Sequence, residues 1–264
     1  MGTLVNYETD HGVALITLND PPVNCYTHEM LTELDACITD ARFDDDVHVL
    51  VLTGHGENYF CAGANINMLR EVKPGFRYNF FLYASELMSR LEHTPKLVIA
   101  ALNGHAVGGG FELAMACDIR IARAQFGTIG LPEINLGFPP GSGGTQRLAR
   151  LVGKGHAMQL VVEGEKIPFE RGLDIGLLNY VWNTNSHAQF MEEVLGYAHK
   201  FTSPSKGPLA VGKTKRAIQA AYEMPIEQGS GMERELLAQL LGTEDASEGL
   251  NAWIEKRKPK FQGR

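Results

Sequence analysis

Several familiar features are missing from these 264 residues, and each absence narrows what the chain can be. The four cysteines, Cys25, Cys37, Cys61 and Cys117, show no CxxC spacing and sit among apolar or small neighbours. A disulfide framework of the kind small secreted domains rely on is thereby excluded, and reduced, packed thiols are expected. Cys61 has no histidine set against it in any familiar local pattern, so nothing supports a cysteine nucleophile. The nine histidines contain no H-x-x-x-H pair, and no metal site is expected. Basic residues are in deficit, with 24 Lys and Arg against 31 Asp and Glu for a net charge of −7. A nucleic-acid partner would call for the opposite field. Long apolar runs are absent too. The longest, Leu97–Leu102, is far short of the roughly 20 residues needed to span a bilayer, so no membrane partner is expected. Residues 1–6 lack the basic-then-apolar layout of a leader, and Asn6 breaks the myristoylation pattern. A cytoplasmic protein is the expectation.

Cofactor-binding fingerprints are missing as well. The glycines from Gly104 to Gly110 do not form G-x-G-x-x-G, so they open no dinucleotide site. The run Pro140-Gly141-Ser142-Gly143-Gly144 has proline where a nucleophile elbow requires its first glycine, and Gly141–Thr145 lacks the lysine of a phosphate-binding loop. Tight turns leading into a helix are the role expected for that run.

What is present is an ordinary globular composition, 44% hydrophobic and 21% charged, in one chain without linkers, low-complexity tracts or an evident internal repeat. Residues 4–7 and Val13–Leu18 read as strands around an Asp10-His11-Gly12 turn. Thr27 is placed to cap a helix with Leu31, Leu34, Ile38 and Ala41 on one face. Residues 47–53 form a continuous β-rich run, as a strand buried on both faces does. A Gly-punctuated loop follows over 54–63, then helix over 65–92 interrupted near Pro74-Gly75. Strands are expected at Leu97–Leu102, 118–122 and 178–182, and a short helix near Phe111. Residues 127–144 are so rich in Gly and Pro that little regular structure is expected there. From about Thr145 onward helices dominate, with caps at Ser186 and Thr243. This order describes an α/β or α+β domain with a helical C-terminal region.

Two strand-to-helix junctions carry the chemistry. One is Phe60-Cys61-Ala62-Gly63-Ala64-Asn65-Ile66, and the other is Gly108-Gly109-Gly110-Phe111-Glu112. Small residues let another molecule approach the backbone, and a helix start presents unpaired N–H groups. Facing each other, two such junctions could cradle a carbonyl oxygen. Tight strand–helix packing also demands glycine, and for either junction alone it is the simpler account. Glu112, at a helix start, could be a plain capping charge. Its neighbours are almost wholly apolar, however, and a carboxylate there is costly without partners or a task. Glu133, in Leu131-Pro132-Glu133-Ile134-Asn135-Leu136-Gly137, raises the same question. A pair of carboxylates in apolar company fits general acid–base work. The aromatics Phe76, Tyr78, Phe80, Phe81 and Tyr83 read first as ordinary packing.

The segments 60–66, 103–122 and 126–151 resemble the enoyl-CoA hydratase (crotonase) signature in order and separation. Weaker similarity runs from Val13–Leu18 and Pro22-Val23-Asn24 to the closing Glu255-Lys256-Arg257-Lys258-Pro259-Lys260-Phe261. The resemblance implies an α/β crotonase spiral of ββα units over about 1–200, with a C-terminal helical trimerisation region over 201–264 and assembly into homotrimers or homohexamers. It implies an acyl-CoA thioester substrate, with its carbonyl between the N–H groups of Ala64 and Gly109, and carries the two hydratase carboxylates onto Glu112 and Glu133. In that scheme Glu112 takes a proton from water adding to C3 and Glu133 supplies one to C2. No metal, redox cofactor or covalent intermediate is called for. The backbone at Ala62 is expected near the adenine, Lys258 and Phe261 near the CoA, and the stretch 76–83 along the acyl chain. Asn65 stands where many relatives carry Asp, and Leu131 where mitochondrial members have Gln before Pro-Glu. Leu131 is expected to dry the surroundings of Glu133 and raise its pKa. Two other uses of the same site stay open, enoyl-CoA isomerisation and hydration followed by C–C cleavage of an aryl side chain. An RNA-binding side role is opposed by the acidic composition.

Overall fold

A computed structural model describes residues 3–264. Met1 and Gly2, part of the opening segment weighed as a leader, lie outside the described residues. The strands are β1 (Val5–Asp10), β2 (Val13–Leu18), β3 (Val49–Gly54), β4 (Tyr59–Cys61), β5 (Leu97–Leu102), β6 (His105–Val107), β7 (Ile119–Arg123), β8 (Thr128–Gly130), β9 (Ile167–Pro168) and β10 (Tyr180–Trp182). The helices are α1 (His28–Phe43), α2 (Ile66–Glu71), α3 (Pro74–Glu92), α4 (Gly109–Met115), α5 (Gly144–Glu163), α6 (Phe169–Asp174), α7 (His187–Ala198), α8 (Pro208–Glu223), α9 (Ile226–Leu241) and α10 (Glu244–Ile254).

One sheet has six strands in the order β1-β2-β3-β5-β7-β10, and a second has four in the order β4-β6-β8-β9. The β1–β2 pair is antiparallel, and from β2 onward the large sheet is parallel. Strands of this kind are buried on both faces, and here their alternate residues split cleanly. Leu50, Leu52, Val98, Ala100 and Leu102 face the core that takes in α1, α3 and α4. Val49, Val51, Ile99, Ala101 and Ile121 face Phe190, Val194 and Ala198 of α7. The expected uninterrupted apolar runs therefore serve two cores, one on each side of the sheet.

Each of β3, β5 and β7 is followed within a few residues by a short strand of the second sheet, β4, β6 or β8, and then by a helix or 3-10 turn. This is a ββα repeat, as the resemblance implies. The three-residue strands fall where loops were expected, at 54–63 and 104–110. The segment 127–144 holds β8 and a 3-10 turn, Pro132–Leu136, and so is more regular than its composition suggests. Strands that short carry no periodicity to detect. They exist because parallel pairing with a neighbour satisfies their backbone, as β6 does with β4 and β8.

The caps occur where expected. Thr27, Ser186 and Thr243 accept from Met30, Gln189 and Ala246 N–H, and Asn65 caps α2 by accepting from Met68 N–H. Beyond the sheets, α8 is pinned beneath β5 by a buried ion pair, Lys215 Nζ to Asp118 Oδ2 at 2.8 Å. None of the described residues forms a helix long and apolar enough to cross a membrane.

Candidate active site

The two junctions singled out in the sequence abut. A Cβ on Gly63 would lie 2.9 Å from Gly109 N, so the backbones at the two turns are nearly in contact. Tyr26 ties the first junction down: its N–H donates to Gly63 O (2.9 Å) and its carbonyl accepts from Asn65 N–H (3.0 Å). Among the described residues, no hydrogen bond is donated by Ala64 N–H or Gly109 N–H, and both residues line one cavity of about 190 Å³. Gly109 begins α4, so its free N–H sits at the positive end of that short helix. Gly108 before it has φ 57°, a conformation that glycine adopts without strain.

Glu112 is buried, one turn into α4, and opens onto the same cavity. Its Oε1 accepts from Ser142 N–H (2.8 Å) and Gly144 N–H (2.7 Å). Burial pushes its pKa up, while the two amides and the nearby Arg147 guanidinium pull it down. Arg147 in turn anchors the turn that supplies the amides, donating to Ser142 O (3.0 Å) and pairing with Glu92 (2.8 Å). One carboxylate oxygen is thus held in place, and Oε2 accepts nothing among the described residues.

Glu133 reaches the cavity from the 3-10 turn Pro132–Leu136. Its Oε1 lies against Gly108, where a Cβ would approach to 2.8 Å, and its Oε2 is buried without a partner. Burial, followed at a distance by the charge of Glu112, raises its pKa to about 7. Leu131, expected to dry the surroundings of Glu133, is itself buried but lines a separate void with Phe111, Ile129 and Leu148 rather than the cavity that Glu133 faces. The two carboxyls therefore differ. Glu112 is held by two amides with the charge of Arg147 nearby, whereas burial leaves Glu133 with a pKa near neutrality.

Among the expected site residues, Glu112, Glu133, Ala64, Gly109 and Ala62 line one cavity. Lys258 and Phe261 are not brought there within the chain: Lys258 is exposed, and Phe261 lines a separate cavity with Leu97, Ala210, Val211 and Lys215. Of the aromatics over 76–83, Phe80 is core, while Phe81 lines the cavity together with Leu69, Leu136 and Phe138. Phe81, Phe138 and Gly141 also border an adjoining apolar cleft of about 400 Å³ that includes Tyr78 and Leu82. Three contributors escaped the sequence reading. The run at Gly141–Thr145, expected only to make turns, supplies both amides that hold Glu112. Its glycines just ahead of a helix are the same signal that marked Gly108–Gly110. Arg147 and Tyr26 gave no local signal, because each acts through groups distant in sequence. Among the described residues, no group of three or more His, Cys, Asp or Glu is arranged to hold a metal ion.

Known proteins match this architecture along its whole length. A sequence profile of the enoyl-CoA hydratase/isomerase family matches residues 8–264. A short-chain-enoyl-CoA hydratase of Clostridium acetobutylicum is 39% identical over 252 residues, covering 95% of this chain and 94% of the relative. A 2,3-dehydroadipyl-CoA hydratase of Escherichia coli is 37% identical, covering 96% of each. The crystal structure of an enoyl-CoA hydratase from Geobacillus kaustophilus superposes with a TM-score of 0.95 at 39% identity, covering 100% of this chain and 98% of that one. The chain belongs to the enoyl-CoA hydratase/isomerase family.

Proposed function

We propose that this protein is an enoyl-CoA hydratase that adds water reversibly across the 2,3 double bond of a 2-enoyl-CoA to give a 3-hydroxyacyl-CoA. The observation that carries the reading is the convergence of Glu112 and Glu133 on the cavity bordered by Ala64 and Gly109. Relatives at this level of identity are named as hydratases. Addition of water at C3 drives negative charge onto the thioester oxygen. Two free amides and a helix start suit that charge, each donor of this kind being worth about 3–4 kcal/mol in the transition state. Ionised Glu112 takes the proton of the attacking water, and protonated Glu133 delivers one to C2, so atoms and charge balance without any added group. Two carboxyls disfavour the isomerase reading, for which one suffices. Hydration followed by cleavage of an aryl side chain draws on the same groups and is separated by its products.

The acyl chain is assigned to the apolar cleft running from Phe81 and Phe138 toward Tyr78 and Leu82, and the adenine to the backbone at Ala62. Contacts from Lys258 and Phe261 to the CoA arm would come from a second copy of the chain. Self-association into a trimer or hexamer through the C-terminal region is supported by exposed Ile226 (81%), Trp253 (86%) and Ile254 (75%), and by α9, which buries none of its residues. Four free cysteines, two of them buried, fit the reducing cytoplasm.

The test is a panel of 2-enoyl-CoA thioesters of graded length followed by loss of the conjugated-enone absorbance, with 3-enoyl-CoA thioesters alongside. Hydration of at least one 2-enoyl-CoA, with 3-hydroxyacyl-CoA as product, is expected. Turnover of 3-enoyl substrates alone would replace the hydratase reading with the isomerase one.

A further inference from the structure

Tyr26 is 1% exposed, yet it lines the cavity between the two glutamates, and its hydroxyl is buried beside the Ser142 side chain without a well-formed hydrogen bond. An unpartnered buried hydroxyl costs on the order of 1–3 kcal/mol, so such a group calls for a task. Its place is fixed from three sides. The backbone of Tyr26 bridges that of Ala64, its ring packs on Phe80 with centroids 5.9 Å apart, and its Oη occupies the space where Gly109 would carry a Cβ. Gly109 and Glu112 are three residues apart and share a face of α4. The hydroxyl therefore sits over the side of the helix from which Glu112 projects.

A further polar atom of the cavity lining, Glu133 Oε2, also lacks a partner. Burial above all, with the charges of Glu112 and Glu133 adding to it, keeps the phenol protonated, so that its O–H is available to donate a hydrogen bond to an incoming group.

We propose that the Tyr26 hydroxyl is a third water-holding group, donating a hydrogen bond to the oxygen that adds to C3 and becomes the 3-hydroxyl of the product. The water then uses one lone pair toward C3 and the other toward Tyr26, and its proton goes to Glu112. This rests on the hydratase reading, and its test separates the two.

Tyr26→Phe removes the hydroxyl and keeps the ring on Phe80. Binding of a 3-hydroxyacyl-CoA and of the saturated acyl-CoA of equal length is measured by calorimetry for both proteins, together with hydration kinetics and melting temperature. The variant is expected to bind the 3-hydroxy ligand roughly tenfold more weakly, as loss of one neutral hydrogen bond implies. Affinity for the saturated ligand should hold, the melting temperature should hold or rise because a poorly bonded buried hydroxyl is removed, and kcat should fall with KM nearly unchanged. Equal weakening of both ligands, or no change in either alongside a wild-type kcat, would overturn the role. Failure of the wild-type protein to hydrate any enoyl-CoA would instead remove the hydratase reading beneath it.

Discussion

Gly144 N–H donates to Glu112 Oε1 at 2.7 Å across 32 positions of sequence. With Ser142 N–H at 2.8 Å it fixes one carboxylate oxygen and leaves the other free to face the cavity. A buried carboxylate without such donors would stay neutral and could not act as a base. On the proposed mechanism, the turn ahead of α5 is thus part of the acid–base machinery rather than mere connection.

That relationship predicts the effect of one methyl group. A Cβ on Gly144 would lie 2.7 Å from Glu112 Oε1, so Gly144→Ala displaces the carboxylate. Turnover should fall by about 100-fold, the scale of a misplacement near 1 Å, while binding of a saturated acyl-CoA is retained. Gly155→Ala, also in α5, meets nothing within 4 Å. Two residues past the non-helical break at Gly153, it should raise stability by at most about 0.5 kcal/mol and leave turnover unchanged. Steady-state kinetics beside thermal melts check both.

The pH profile of kcat/KM for hydration should be bell-shaped. Hydration needs Glu133 protonated, and its pKa is raised to about 7, so the rate should decline as pH rises beyond that. On the acid side it should decline as Glu112, its own pKa raised by burial, takes up a proton. The apparent values belong to the pair. A rate still climbing at pH 9 would contradict the assignment of Glu133 as donor.

Stability should report the same proton. Glu133 has a folded pKa near 7 against an ordinary 4.5, so its contribution is present below about pH 4.5 and is lost as pH rises through 7. Glu133→Gln lacks that loss. The melting temperature of the variant relative to wild type should therefore improve from pH 5 to pH 8. The gain is at most about 3 kcal/mol and is lowered by the partial exposure of the carboxyl. A difference that stays constant with pH would contradict the raised pKa.

Much of this was legible in the sequence where signals are local. Val13–Leu18 and Leu97–Leu102 coincide with the strands observed, and the caps Thr27, Ser186 and Thr243 are where hydroxyl residues precede apolar periodicity. Gly63 and Gly110 marked the two turns because close backbone approach leaves only glycine, whereas at Gly108 and Gly109 the space is taken by the Glu133 and Tyr26 side chains. The second sheet was not legible, since Tyr59–Cys61, His105–Val107 and Thr128–Gly130 are too short to show alternation and owe their form to pairing with one another. Tyr26 and Arg147 escaped for a related reason. What each does depends on partners far along the chain, and no spacing encodes it.

In the proposed mechanism Glu112 and Glu133 act together on one water. The most direct measurement is single-turnover hydration of crotonyl-CoA, or of the best substrate of the panel, by wild type, Glu112→Gln, Glu133→Gln and the double variant, with acyl-CoA affinity measured in parallel. Each single variant should lose at least about 1000-fold in rate, and the double variant should lose little more than the weaker single, as groups acting as a unit do. Affinity should stay within a few-fold of wild type. Wild-type turnover in either single variant, or losses that multiply in the double, would contradict the claim.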